Sequence, residues 1–214
     1  MNRTFVRLAC CTRAATAAEF ALVLPLLLLF IFGIIDVGRF MWEVNQAEKA
    51  TQVGARMAIV TNPVSTDLVT SDFANSTLAA GELIPATALG KVVCTSADCK
   101  CTAPCPSGLA ATSPVNTAAF SAIVGRMAQI KPGITNANVE ITYRGSGFGY
   151  AGSSASGPGG GSAPPEKMEI SPFVTVALKD VEFTPITSLL IASIDLPSFT
   201  TTLTAEDSSG TFSN

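Results

Sequence analysis

The stretch "TAAEFALVLPLLLLFIFGIIDVGRFMW", Thr16 to Trp42, restricts this chain more than any other part of it. From Ala14 to Ile35 there are 22 residues and one charge, Glu19. At about 1.5 Å per residue, a helix of that length crosses a hydrocarbon core of about 30 Å. Arg3, Arg7 and Arg13 precede the run, and only Arg39 follows it closely. This asymmetry predicts a cytoplasmic N-terminus and an outward remainder, with Phe40 and Trp42 at the outer interface. A cleaved secretory signal is disfavoured, because the apolar region is long and no A-x-A site follows it. Cys10 and Cys11 then face the cytoplasm as reduced thiols, with juxtamembrane acylation as the alternative.

Beyond the bilayer the helix continues. Val37, Phe40, Met41, Val44, Ala47, Val53 and Met57 fall on one stripe and call for an apolar partner. Thr61-Asn62-Pro63 ends the pattern, since the residue before a proline is driven out of helix. The expected layout is a basic leader at 1–13, a transmembrane helix at 14–36, its amphipathic continuation at 37–62 and an extracytoplasmic domain at 63–214. Asp36 and Arg39, at i and i+3, read as an interfacial ion pair worth little by itself.

The outer domain reads as α+β. A short helix is expected around Asp67 to Ala80. Cys94, Cys99, Cys101 and Cys105 are spaced for two disulfides outside the membrane; three pairings exist, with Cys99–Cys101 the most strained. A four-cysteine zinc site is the alternative, weakened by the lack of paired C-x2-C knuckles. Ser113-Pro114 looks like the cap of a helix bearing Phe120, Ile123, Met127 and Ile130, stopped by Pro132-Gly133 and able to pack on a sheet. "NVEITYR" alternates as a strand. "FVTVALKDVEF", Phe173 to Phe183, is a second whose parity shifts after Leu178, suggesting a bulge. "PITSLLIAS" is a short helix or an apolar loop, and "FTTTLTAE" is a third strand. Short connections favour an antiparallel sheet of about three strands with one or two helices. The Gly/Ser/Pro segment 145–165 is expected to be a mobile loop.

Several functions are excluded or weakened. The 214 residues include no histidine, so Ser-His-Asp and Cys-His catalysis and His-ligated metals are impossible. With a net charge of −3 and no basic helix, nucleic acid is not an expected partner. Gly147-Phe-Gly149-Tyr-Ala-Gly152 matches G-x-G-x-x-G, but "SSASGPGGGSAPP" follows it and cannot supply the phosphate-binding helix. Asp180 and Glu182 share one side of the expected second strand, where they read as a solvated face. No catalytic residue, metal site or cofactor is expected.

Glu19 acquires a role through a resemblance. "AATAAEFALVLPLLLLFIFGIIDVGRFMWEVNQAEKATQVGARMA" resembles the N-terminal segment of the TadE-like family, pseudopilins of the tight-adherence (Flp) branch of type IV pili. Glu19-Phe20, "ALVLPLLLL" with Pro25, "GIIDVGR" and "GARMA" carry the likeness. The turn Phe183-Thr184-Pro185 fits the family's layout, which implies a pilin-like fold. The resemblance implies cleavage by a prepilin peptidase between Ala14 and Ala15, where the family usually has glycine on the leader side. Glu19 is then the fifth residue of the mature chain, neutralised by a neighbouring subunit's α-amine, as intramembrane charges require partners. Pro25 frees the carbonyl of Ala21 and eases extraction from the membrane. The implied partners are other pilin-like subunits and the inner-membrane pilus assembly machinery. Two rivals remain: a signal-anchored receptor or adaptor that never enters a filament, and, less favoured, a secreted enzyme.

Overall fold

The computed structural model describes residues 12–152, 168–189 and 192–205, with the side chains of 12–15 and Leu189 left out. The expectations for Cys10, Cys11 and the 153–165 part of the glycine-rich loop lie outside the described residues.

One helix, α1, runs from Thr12 to Val60 and passes through Pro25 without ending. Its Ala, Leu and Met content suits a helix, and at Pro25 one carbonyl loses its donor. At the far end the Thr61 backbone N–H and hydroxyl both donate to the Met57 carbonyl, at 3.0 and 2.7 Å. That satisfies one orphan acceptor of the last turn before Pro63 diverts the chain.

The chain divides into two compact units, Met1–Glu43 with Glu182–Ile194, and Val44–Val181 with Asp195–Asn214. In the second unit a six-stranded antiparallel sheet is built from β1 (Lys91–Cys94), β2 (Cys99–Thr102), β3 (Thr112–Ser113), β4 (Val139–Arg144), β5 (Phe173–Leu178) and β8 (Phe199–Thr204). Its strand order is β3-β2-β1-β4-β5-β8. The three expected strands are β4, β5 and β8; the sheet is larger because a β1–β2 hairpin and the short β3 extend it. The class stays α+β.

Helix α3 (Thr117–Ile130) buries Phe120, Ile123, Val124 and Met127. Its cap is Asn116, whose Oδ1 accepts from Ala119 N–H at 3.1 Å, and not Ser113, which is already committed to β3. The buried side of α1 in this unit also differs from the expected stripe. It consists of Ala47, Ala50, Thr51, Gly54, Ala55, Met57 and Ala58, whereas Val53 is half-buried. Small residues allow close approach: a Cβ built on Gly54 would lie 2.7 Å from Met127 Sδ and 3.4 Å from Val176 Cγ1. The Thr51 hydroxyl meets that of Thr201 on β8 at 3.1 Å.

Three further expectations change. The helix over Asp67 to Ala80 reduces to α2, Thr66–Val69. Polar side chains take over the backbone beyond it: Ser71 Oγ donates to the Asp67 carbonyl, and Asn75 Oδ1 accepts from the N–H groups of Thr77 and Leu78. Such local bonds compete with helix. The parity shift after Leu178 is no bulge, because β5 ends there. Asp180 turns the chain at φ 52°, and a separate short pair, β6 (Glu182–Phe183) and β7 (Ile194–Asp195), follows. Asp180 and Glu182 therefore do not share a strand. Residues Ile186–Leu189, within the segment read as a short helix or loop, form a 3-10 turn.

Candidate functional site

Residues 16–35 of α1 are solvent-exposed throughout, apart from the half-buried Gly33. Phe20 is 64% exposed, and Leu22, Leu26 and Phe30 are similar. A soluble protein does not leave such a surface open, so an apolar medium or another apolar surface must cover it. Glu19 stands on this exposed stretch and, among the described residues, has no hydrogen-bond or ion-pair partner. Ala14 and Ala15 lie in the first turn of the helix. A peptide bond there must unwind before a protease can cut it, and first turns fray readily.

Where the exposed stretch ends, Asp36 has the expected partner and three stronger contacts besides. Asp36 is only 6% exposed. Its Oδ1 accepts from Ile186 N–H at 2.7 Å, and its Oδ2 from the Thr187 N–H and hydroxyl at 2.9 and 2.8 Å. The expected partner Arg39 is present, but at 3.3 Å it is the longest of the four contacts. Ile186 and Thr187 open the 3-10 turn, so Asp36 caps orphan donors of a segment 150 residues away in the chain. Hydrogen bonds to a charged acceptor are stronger than neutral ones, and three of them outweigh a single surface ion pair.

Phe183 completes the arrangement. Its ring meets Phe40 edge-on at 5.5 Å between centroids, and the Arg39 guanidinium lies 5.4 Å above its centroid. Between the helix and the returning segment lies an apolar groove of about 680 Å³. Phe30, Ile34 and Val37 line its helix side, and Phe183, Pro185 and Ile194 line the other.

The remaining sequence candidates fall elsewhere. Cys94 and Cys99 are directly opposed in the β1–β2 hairpin and form one disulfide; Cys101 and Cys105 form the second. All four sulfurs are thereby used, which removes the zinc alternative. In the G-x-G-x-x-G stretch, Gly147, Gly149 and Gly152 all have positive φ. Gly149 bridges to Ile170, and a Cβ there would run into the Glu169 carbonyl oxygen. These glycines shape a loop against its neighbour.

An exposed apolar helix of membrane-spanning length, joined to a disulfide-bonded α+β domain, fits a single-pass membrane-anchored protein. Residues 14–56 match the family model described as TadE-like protein, so the N-terminal segment of this chain is TadE-like. That family is associated with the tight-adherence pilus. No curated protein and no solved structure matches the chain.

Proposed function

We propose that this protein is a non-enzymatic pseudopilin or assembly component of a tight-adherence pilus. In this reading residues 14–36 span the inner membrane, the N-terminus is cytoplasmic, and the domain is extracytoplasmic. The observation that carries it is Glu19, a lone carboxylate on an otherwise apolar exposed helix, inside the segment that matches the TadE-like model. A carboxylate in hydrocarbon needs a partner from outside its own helix. If the chain starts at Ala15, Glu19 is its fifth residue, within reach of the α-amine of an adjacent subunit's helix. Pilin-like helices packed side by side near Glu19 cover the exposed surface around it and supply that amine together.

The test is the intact mass of the protein from membranes of cells with and without an active prepilin peptidase. A start at Ala15 only when the peptidase is active supports the proposal. A full-length chain in both cases supports the rival, a permanently anchored extracytoplasmic adaptor. Ala14, where the family usually has glycine, is the feature that favours this second reading.

A further inference from the structure

The apolar groove beside Asp36 has a position and a lining that point to its occupant. Its helix side runs from Leu29 to Phe40, about 16 Å along the axis. A hydrocarbon core of about 30 Å that starts near Thr16 ends near Ile35. The groove therefore begins inside the hydrocarbon and opens at the interface, with the exposed Trp42 about two turns beyond Ile35. Its volume of about 680 Å³ lies within the range of about 300–1,000 Å³ typical of small-molecule sites.

The lining is carbon apart from Asp36 and Thr187, whose polar groups are already bonded to each other. At the interfacial end lies Arg39, its side chain 43% exposed and its guanidinium held over Phe183. Arg39 flanks the groove without lining it and is paired to Asp36 at 3.3 Å, but its exposed donors still offer an anionic head a charged contact beside the apolar lining. A transmembrane helix fits less well. Close helix packing uses small residues spaced four apart, but the groove presents Gly33 followed four positions later by Val37, flanked by Phe30, Ile34 and Phe40. A flexible chain follows that relief more closely than a second helix does.

We propose that the groove binds one acyl chain of a membrane phospholipid whose phosphate meets the Arg39 guanidinium. The proposal rests on the membrane-anchored reading but not on cleavage after Ala14. Phe183, Pro185, Thr187 and Ile194, with Thr187 fastened by Asp36, then act as a lipid clamp at the membrane surface.

The experiment reconstitutes the full-length chain in phosphatidylethanolamine/phosphatidylglycerol vesicles doped with a phospholipid carrying a mid-chain diazirine. Vesicle flotation is followed by photolysis and peptide mapping. The expected result is flotation, with labelling of both the 29–40 and 183–194 peptides. Ile34→Trp, which fills the groove from an exposed position, lowers labelling at 183–194 about tenfold. Ile35→Trp, beside the groove but not lining it, leaves it unchanged. Arg39→Gln lowers it as well.

A chain that floats but is labelled only on α1, or equally in wild type and Ile34→Trp, overturns the lipid clamp and leaves the anchor standing. In a parallel sample with a benzophenone amino acid in place of Ile194, photo-crosslinks to a second copy of the chain, in place of lipid, overturn it in favour of a helix occupant. A chain that does not float overturns both readings.

Discussion

Thr187 gives Asp36 both its backbone N–H, at 2.9 Å, and its hydroxyl, at 2.8 Å, across 151 positions of sequence. With Ile186 N–H, this makes one carboxylate the fastening of the whole returning segment. Asp36→Ala leaves two backbone donors without an acceptor, at about 1–3 kcal/mol each. Limited proteolysis of the detergent-solubilised full chain is expected to cut within 183–194 at least about tenfold faster in Asp36→Ala, since about 1.4 kcal/mol of local opening is a factor of ten. Asp36→Asn, which keeps one acceptor oxygen, should fall between the two. Thr187→Val removes only the hydroxyl and should have a smaller effect. Equal cleavage rates in all four proteins would show that Asp36 does not hold the segment.

Gly54 marks a close approach in the buried part of α1. Its absent Cβ would stand 2.7 Å from Met127 Sδ and 2.8 Å from Met127 Cγ. Gly54→Val is expected to destabilise the folded chain by about 1–3 kcal/mol through overpacking, despite the better helix propensity of valine. Met127→Ala opens a cavity at the same place, so the double variant should be less destabilised than the two single effects added, by about 1 kcal/mol. Chemical denaturation of the four proteins measures this coupling. Simple additivity would mean that the two residues do not press on each other.

What could be read beforehand follows from the range of the interactions. The long helix, β4, β5 and β8 announce themselves through local periodicity, and the structure keeps them. The expected stripe on α1 holds at Ala47 and Met57, but its larger members Val37 and Met41 are exposed and Val53 half-buried, and Ala50, Gly54 and Ala58 share the contact instead. Small residues carry almost no hydrophobic signal, yet they set the closest approach. Sequence proximity points Asp36 to Arg39, because both lie within one turn, and that pair is present. Its stronger partners are backbone groups, which leave no mark in side-chain identity. Resemblance alone points to the F-T-P turn; the Phe40, Arg39 and Phe183 contacts give it a physical role.

The two disulfides differ in accessibility. Cys94 and Cys99 are fully buried, whereas Cys101 and Cys105 are half-exposed. A thiolate reductant needs access to a sulfur. Under graded dithiothreitol, peptide-resolved alkylation is expected to find Cys101 and Cys105 labelled first, with Cys94 and Cys99 following only when the domain unfolds. Replacing Cys94 and Cys99 together by Ala should cost about 2 kcal/mol in the chain-entropy picture for so short a loop. Simultaneous labelling of all four would contradict this order.

Tyr143 ties β4 to the chain just after α1, for its phenol oxygen accepts the Val64 N–H at 2.9 Å. The residue is buried, and burial pushes its pKa from the ordinary 10.0 up to about 12, against a smaller opposing effect of the Val64 bond. The folded state thus holds the phenol neutral more strongly than the unfolded state does. The stability linked to this proton is fully present below about pH 10 and is lost as pH rises towards 12. Two pKa units correspond to about 2–3 kcal/mol. Tyr143→Phe keeps the ring but leaves the Val64 N–H unpaired, so near pH 7 it should be less stable by about 1–3 kcal/mol. Having no proton to lose there, it should also decline less steeply between pH 10 and 12, and the two curves should converge. Unfolding free energies of the two proteins from pH 7 to 11.5 measure this; parallel curves across the alkaline range would mean that the Tyr143 proton is not linked to folding.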